Sequence, residues 1–358
     1  MDLDSLRKQI DAVDLDIIGR LNARVRLSLE IGRLKREKGA DIYVPSREEA
    51  LLERLTSSNP GPLAQQALRS IYREIISASV ALQKEMTVAY LGPEATYTHQ
   101  AALKNFGTSL RCQPCATIPD VFTAVERGEA DHGVVPIENS TEGAVFHSLD
   151  MLVETDLKIV AQVFLPIEHC LISREPLDKI TIVFSRDQAI GQCRDWLRRN
   201  IPGAQMSEVH STAEAVCKAR ETPGSAAVAG RLAAELYGVP VLVEGIQDKA
   251  DNVTRFLVLG KNASSPLGDG RDKTSLVFSL HDQPGALLRA LEPFSSRGVN
   301  LSKIESRPSR RKAWHYYFFI DFIGHWDDKV TQEAVTELRK GCPFVKWLGS
   351  YPNIGQPV

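Results

Sequence analysis

No proline interrupts residues 2–38, and apolar side chains fall at Leu6, Ile10, Val13 and Ile17, then at Leu27, Ile31 and Leu34. Steps of three and four are those of a coiled-coil seam, so the stretch predicts one helix of ~50 Å at ~1.5 Å per residue. A helix that long cannot bury its stripe inside so small a module. The expectation is a homo-oligomer, a dimer or higher. Continuing the count from Ile17 puts Arg20 and Arg24 on the seam, and a guanidinium on a face meant for burial needs an anionic partner. Lys35 shares that face, with the small residues Ser28 and Gly32 between them, so the face offers separated cations with room for a small anion. Pro45 opens a second helix with Arg47 and Glu48 in its first turn. A third, over roughly 63–84, carries Ser79 and Gln83 at i and i+4. The competing reading makes Arg24 and Lys35 solvated charges on a wet face.

At 358 residues the chain predicts two or three domains. Lysine and arginine number 43 against 45 acidic residues, so no global basic field points to nucleic acid or a membrane surface. The acidic start, Met1-Asp2-Leu3-Asp4-Ser5, and the lack of an apolar run near ~20 residues lead to a cytoplasmic expectation. Six cysteines in such a length are no disulfide framework, and Cys112-Gln113-Pro114-Cys115 has no second pair to complete a zinc site. Neither a metal nor a cofactor is expected.

From Thr87 strands and helices alternate, which predicts an α/β domain with a largely parallel sheet, two lobes and a cleft, the second lobe over roughly 167–243. Two runs leave apolar strands for hydroxyls, amides and charge: Val134-Val135-Pro136-Ile137-Glu138-Asn139-Ser140-Thr141-Glu142-Gly143 and Asp251-Asn252-Val253-Thr254-Arg255-Phe256. Open α/β sheets keep ligands at such strand ends. Singly these are turn and cap residues; together they mark a site. Glu94 to Gln100 reads as a helix start able to hold an anion. His132, His169 and His210 read as structural or solvated. After a small-residue linker at 262–270, strands at 274–280, 299–306, 313–323 and 344–350 with helices at 285–296 and 327–340 spell βαββαβ, the ferredoxin-like order. Arg297, Arg307, Arg310 and Arg311 read as solvated.

The first module resembles the all-helical chorismate mutases through Leu6-Arg7-Lys8-Gln9-Ile10-Asp11, Arg24, Ile31-Gly32-Arg33-Leu34-Lys35, Arg47-Glu48 and Ser79-Val80-Ala81-Leu82-Gln83. The resemblance implies that Arg7, Arg24, Lys35, Val44, Arg47, Glu48, Ser79 and Gln83 line a pocket for chorismate. It gives Arg7 to the pocket of the other subunit, Lys35 and Gln83 to the ether oxygen and Glu48 to the ring hydroxyl. Val44 stands where the family usually has an acid, and would act through its backbone N–H. The middle resembles prephenate dehydratase through Ala89-Tyr90-Leu91-Gly92-Pro93-Glu94 and the two runs above, which implies loss of water and carbon dioxide from prephenate. Thr254 maps onto the essential threonine; Thr96, Thr98, Asn139, Ser140, Thr141 and Arg255 are the implied substrate binders. Ala95 replaces a usual glycine, and Ser185-Arg186 a common His-Pro pair. The last module resembles the ACT domain through Asp282-Gln283-Pro284-Gly285-Ala286-Leu287 and Ile304-Glu305-Ser306-Arg307-Pro308. This implies L-phenylalanine bound as an effector by Gly285, Ala286, Leu287, Glu305 and Ser306.

The expectation is therefore a multidomain chain. It comprises an all-α helical chorismate-mutase module (1–86), a two-lobed α/β periplasmic-binding-like dehydratase domain (87–262) and an α+β ferredoxin-like ACT domain (273–351). Such a chain would be both an isomerase and a carbon–oxygen lyase. Two alternatives stay open: a non-catalytic effector sensor, and a dehydratase whose mutase module has failed.

Overall fold

The structure, a computed structural model, describes residues 2–309 and 316–355. Its chain divides into two compact units, Met1–Met86 with Asn105–Arg111, and Thr87–Lys104 with Cys112–Val358. Arg310, Arg311 and the first residues of the strand expected at 313–323 lie outside the described residues.

In the helical unit, α1 (Leu3–Glu37) begins at Asp2, whose carboxylate accepts the Ser5 amide at 2.7 Å. α2 (Pro45–Ser57) uses proline at its first position, and α3 (Gln65–Gln83) packs against both. Leu52, Ile76 and Val80 are buried between them, while the α1 stripe is open, with Ile10 and Leu27 more than half exposed. Asn105–Arg111 joins this unit through Asn105 donating to the Tyr43 hydroxyl at 2.8 Å and Thr108 to Glu74 at 2.7 Å.

The second unit holds three sheets. The first contains β1 (Thr87–Leu91), β2 (Arg111–Cys115), β3 (His132–Asn139), β4 (Gly143–Ala144), β5 (Lys158–Pro166) and β11 (Val253–Gly260) in the order β2-β1-β3-β11-β5, with β4 on β3. Its helices are α4 (Tyr97–Phe106), α5 (Ile118–Arg127) and α6 (Phe146–Glu154). The chain crosses to a second lobe after β5 and returns before β11. That lobe orders β6 (Cys170–Ile172), β7 (Ile182–Ser185), β8 (Gln205–Glu208), β9 (Ser225–Ala229) and β10 (Val241–Val243) as β10-β6-β9-β7-β8. Its helices are α7 (Asp187–Gln192), α8 (Arg194–Asn200), α9 (Thr212–Glu221) and α10 (Arg231–Tyr237). The expectation of largely parallel sheets is corrected. β1 and β3 are parallel, as are β7, β8 and β9, but β11 comes back from the other lobe and runs antiparallel to both β3 and β5. α4 starts three residues later than expected, because Ala95 takes a left-handed φ of 62° that no helix accepts.

The third sheet is β12 (Asp272–Ser279), β13 (Leu301–Pro308), β14 (Tyr316–Ile323) and β15 (Phe344–Pro352) in the order β13-β14-β12-β15, crossed by α11 (Ala286–Ser295) and α12 (Lys329–Gly341). Alternation along its strands divides the residues between two cores. Leu276, Phe278, Ile320 and Phe322 meet Phe294, Ala334 and Leu338 under the helices. Val277, Phe319, Leu348 and Tyr351 join Leu149, Leu152, Leu257 and Leu259 in the core of the first lobe. Each such side chain stabilises by about 1.5–3 kcal/mol when fully buried, and those of this sheet lie in the first lobe's core. Arg307, expected to be solvated, instead forms a two-point ion pair with Asp150 at 2.7 and 2.8 Å and covers the Phe146 ring.

Gly349 makes the contact of β15 with β5 possible: its φ is 151°, and a Cβ there would overlap the backbone of Ile159. Gly349→Ala should lower stability by roughly 1–3 kcal/mol or more, read as a fall in thermal midpoint. An unchanged midpoint would mean the two strands separate freely.

Candidate functional sites

In the helical unit, Arg24, Lys35 and Arg47 are brought to Glu48. Arg24 donates to the buried Ser79 hydroxyl at 2.7 Å, tying α1 to α3. Lys35 donates to the carbonyls of Asp41 and Ile42 at 2.8 and 2.9 Å, drawing in the loop that ends at Val44, the cap residue of α2. Glu48 pairs with Arg73 at 3.2 Å. Sequence reasoning missed Arg73, which only the packing of α3 on α2 brings to this point. Burial pushes the Glu48 carboxyl up to about 7, against the pull of Arg73, Lys35 and Arg24. Burial and the nearby Arg47 push the Lys35 ammonium down. Arg24, Lys35 and Arg73 act on Glu48, while the buried carboxylate of Glu49 is taken up by Arg69 at 2.6 Å, which leaves cations for an anionic ligand. Gln83 lies against Gly32, where a Cβ would stand 2.7 Å from the Gln83 Cγ, so the glycine makes room for the amide. Arg7 is not brought here. It is exposed, paired with Asp4 at 3.4 Å, and lies ~25 Å from Arg24 along one helix.

In the second unit a cleft is lined by Thr96, Thr98, Asn139, Thr254 and Phe256 from the first lobe, and by Arg186, Gln188, Gln192 and His210 from the second. Thr254 and Asn139 are cross-strand neighbours of β11 and β3. The orientation of the Asn139 amide is fixed by what its Oδ1 accepts: the backbone amides of Thr141 and Glu142 at 3.0 and 3.1 Å, and the Thr141 hydroxyl at 2.6 Å. Its Nδ2 therefore donates, to Asn252 Oδ1 at 2.7 Å and to Thr254 Oγ1 at 2.8 Å. Asn252 passes the same polarity on, donating to Gln192 Oε1 at 3.0 Å. Gln192 Oε1 faces His169 Nε2 at 2.9 Å, so that nitrogen carries the proton, and Nδ1 faces the Tyr97 hydroxyl at 2.8 Å. Burial pushes His169 down from its ordinary value, which favours this neutral ring. Because Thr254 Oγ1 receives the Asn139 hydrogen, its own hydrogen is left for the cleft. Amide donation to that oxygen polarises the O–H and makes it a better donor.

His169, read from sequence as structural or solvated, is a cleft residue in a hydrogen-bonded chain that ends on Thr254. Nothing in its local sequence signals this, because Tyr97, Gln192 and Asn252 come from distant segments. Two implied substrate binders are corrected. Arg255 follows Thr254 on a strand and so faces the other way, buried with Asp321 at 2.5 Å and Tyr351 at 2.7 Å. Ser140 clasps strand ends, donating to the Asp251 carbonyl and accepting the Val253 amide. Thr141 acts through Asn139, and Ser185 is buried, donating to the Val228 carbonyl at 2.6 Å. In the third sheet, Gly285 takes a left-handed φ of 77° as the cap of α11, whose first turn holds Ala286 and Leu287. Glu305 and Ser306 lie on opposite faces of the edge strand β13, half-buried and exposed respectively.

Models of three families match in order: chorismate mutase type II over residues 6–84, prephenate dehydratase over 88–264 and the ACT domain over 274–340. The chain is 47% identical to a bifunctional chorismate mutase/prephenate dehydratase of Aquifex aeolicus, over 98% of each chain. It is 42% identical to the same bifunctional enzyme of Stutzerimonas stutzeri, again over 98% of each. Among solved structures, a prephenate dehydratase from Arthrobacter aurescens in complex with L-Phe superposes with a TM-score of 0.71 at 36% identity, over 76% of this chain and 92% of that one.

The shifted Glu48 carboxyl has a measurable consequence. Its folded value, about 7, lies above its ordinary 4.5, so the folded state keeps the proton longer than the unfolded chain. Its contribution to stability is full below about 4.5 and is lost as pH rises through about 7. Plotted against pH, the thermal midpoint of Glu48→Gln should fall less than that of the parent across this window; parallel curves would count against the assignment.

Proposed function

This chain belongs to the bifunctional chorismate mutase/prephenate dehydratases, and from that membership we propose how its own side chains carry the two reactions and their control. The family activity is the rearrangement of chorismate to prephenate, followed by conversion of prephenate to phenylpyruvate, with feedback through the ACT domain.

The rearrangement transfers no proton and forms no covalent intermediate, so positioning and electrostatic stabilisation are all it needs. Arg24 and Arg47 clamp carboxylates in the geometry that guanidinium suits. Lys35 and Gln83 donate to the breaking ether oxygen, and Glu48, set by Arg73, takes the ring hydroxyl. The exposed α1 stripe supports a homo-oligomer in which a second copy covers Ile10, Val13 and Leu27 and brings its own Arg7 to this pocket.

In the cleft, Thr254 donates a hydrogen bond to the departing ring hydroxyl, which leaves as hydroxide while Thr254 keeps its own proton. The ring carboxylate leaves as carbon dioxide, and its electron pair completes the aromatic ring as the C–O bond breaks. The observation that carries this reading is the Asn139 amide, whose fixed polarity frees the Thr254 hydrogen. Thr96 and Thr98, at the start of α4, are placed for a substrate carboxylate. The relative from Arthrobacter aurescens binds L-Phe, which supports L-phenylalanine as the effector at Gly285–Leu287.

Chorismate fed to the purified protein should give phenylpyruvate, and L-phenylalanine should suppress it. Thr254→Val should halt the sequence at accumulating prephenate, with dehydration down about a hundredfold or more. Full phenylpyruvate production by that variant would overturn the role given to Thr254. Gly32→Ala should lower the mutase rate at least about tenfold by displacing Gln83, with the thermal midpoint held or raised. An unaffected rate would remove Gln83 from the reaction.

A further inference from the structure

Behind the cleft, the two strands that carry Thr254 and Asn139 present a second cross-strand pair. β11 sets Thr254 opposite Asn139 and Arg255 opposite Glu138. The first pair faces the cleft, and the two-residue period of a strand turns the second to the sheet of β12–β15. That sheet answers with a pair of its own, since Lys303 of β13 stands opposite Asp321 of β14. The charges are complementary across the gap. Arg255 meets Asp321 at 2.5 Å, and Lys303 meets Glu138 at 2.6 Å.

The Arg255–Asp321 side of the square is closed by its surroundings. Asp321 Oδ1 accepts the Ser275 hydroxyl at 2.6 Å, and the Tyr351 hydroxyl lies 2.7 Å from the other arm of Arg255 and 2.6 Å from Ser275. Arg255 is 7% exposed, Asp321 6% and Tyr351 0%. Burial works against both charges, and each holds the other ionised: Asp321 stays below its ordinary value and Arg255 above. Lys273, also buried, lies within the field of all four and is pushed down to about 8 by burial and by Arg255. A buried ion pair is weak evidence for stability, because hydrophobic residues of the same volume hold two layers together as well, and its best-attested use is to fix register.

We propose that Arg255 and Glu138 are positioning residues for Thr254 and Asn139, and that the Asp321–Lys303 pair fixes their register so that a shift of the regulatory sheet is passed to the catalytic hydroxyl. The proposal rests on the dehydratase reading above. Its physical content is leverage. Neighbouring residues on one strand share a backbone, so a change in where Arg255 is held rotates the peptide that also aims the Thr254 hydroxyl. An apolar interface would slide, whereas the Arg255–Asp321 and Lys303–Glu138 pairs form together in one register only.

The test uses the full-length protein with three substitutions: Asp321→Asn, Lys303→Gln and Ser275→Ala. For each, prephenate kcat and KM, inhibition by L-phenylalanine, mutase rate and thermal midpoint are measured. Expected is a fall in dehydratase kcat of at least about tenfold with KM held, loss of the remaining sensitivity to L-phenylalanine, and an unchanged mutase rate. A merely structural role would lower the midpoint and leave kcat and inhibition alone in the folded fraction. That result, in any variant that folds, would overturn the proposal. If Asp321→Asn does not fold, Ser275→Ala, which keeps every charge and removes one hydrogen bond from Asp321, decides by the same criterion. A parent enzyme inert toward prephenate would remove the dehydratase reading itself, whereas an active parent with indifferent variants would remove this proposal alone.

Discussion

Where β11 lies antiparallel to β3, Thr254 stands opposite Asn139 and Arg255 opposite Glu138, and the alternation of a strand gives the two pairs to opposite faces. Most of the second unit depends on that register. Slipped by one residue, β11 would bury the hydroxyl and leave a guanidinium in the cleft. The strand reaches this place only because the chain leaves the first lobe after β5, builds a second lobe and returns between β3 and β5. The cleft is therefore closed by two crossings, and its polar groups come from both lobes.

Polarity in the cleft is inherited from the backbone. Two main-chain amides point at one oxygen of Asn139, and that decides which atoms donate all the way to His169 and Tyr97. A threonine hydroxyl is a poor acid in water, so what the structure offers is a held oxygen and a hydrogen left free to donate. In the helical unit the same economy takes another form. Cations from α1 and α3 act on the Glu48 carboxyl of α2, and burial raises that carboxyl rather than leaving it a fixed negative charge.

The αβ unit also shows how a sensing module can be part of a catalytic core. One face of the four-stranded sheet covers its own helices, while the other supplies Val277, Phe319, Leu348 and Tyr351 to the core of the first lobe. Gly349 permits the close approach of β15 to β5, and Arg307 anchors β13 on Asp150.

Much of this was legible in the chain itself. Uninterrupted steps of three and four gave α1 its length, proline placed the start of α2, and alternating apolar runs placed the strands, because each is a local pattern with a local cause. The motifs around Thr254 and Asn139 pointed to the cleft that both line, since hydroxyls and amides gathered at two strand ends are more than turns and caps require. Local patterns also drew errors: Arg255 shared a motif with Thr254 and was expected to share its ligand, and Arg307 was expected to meet solvent. Sequence alone pointed to candidate residues, though not to Arg73 or His169. Which face each one took, and the meeting of Arg73 with Glu48, His169 with Gln192 and Arg255 with Asp321, was decided by tertiary packing, because those partners lie tens of residues apart and only burial brings them within hydrogen-bond distance.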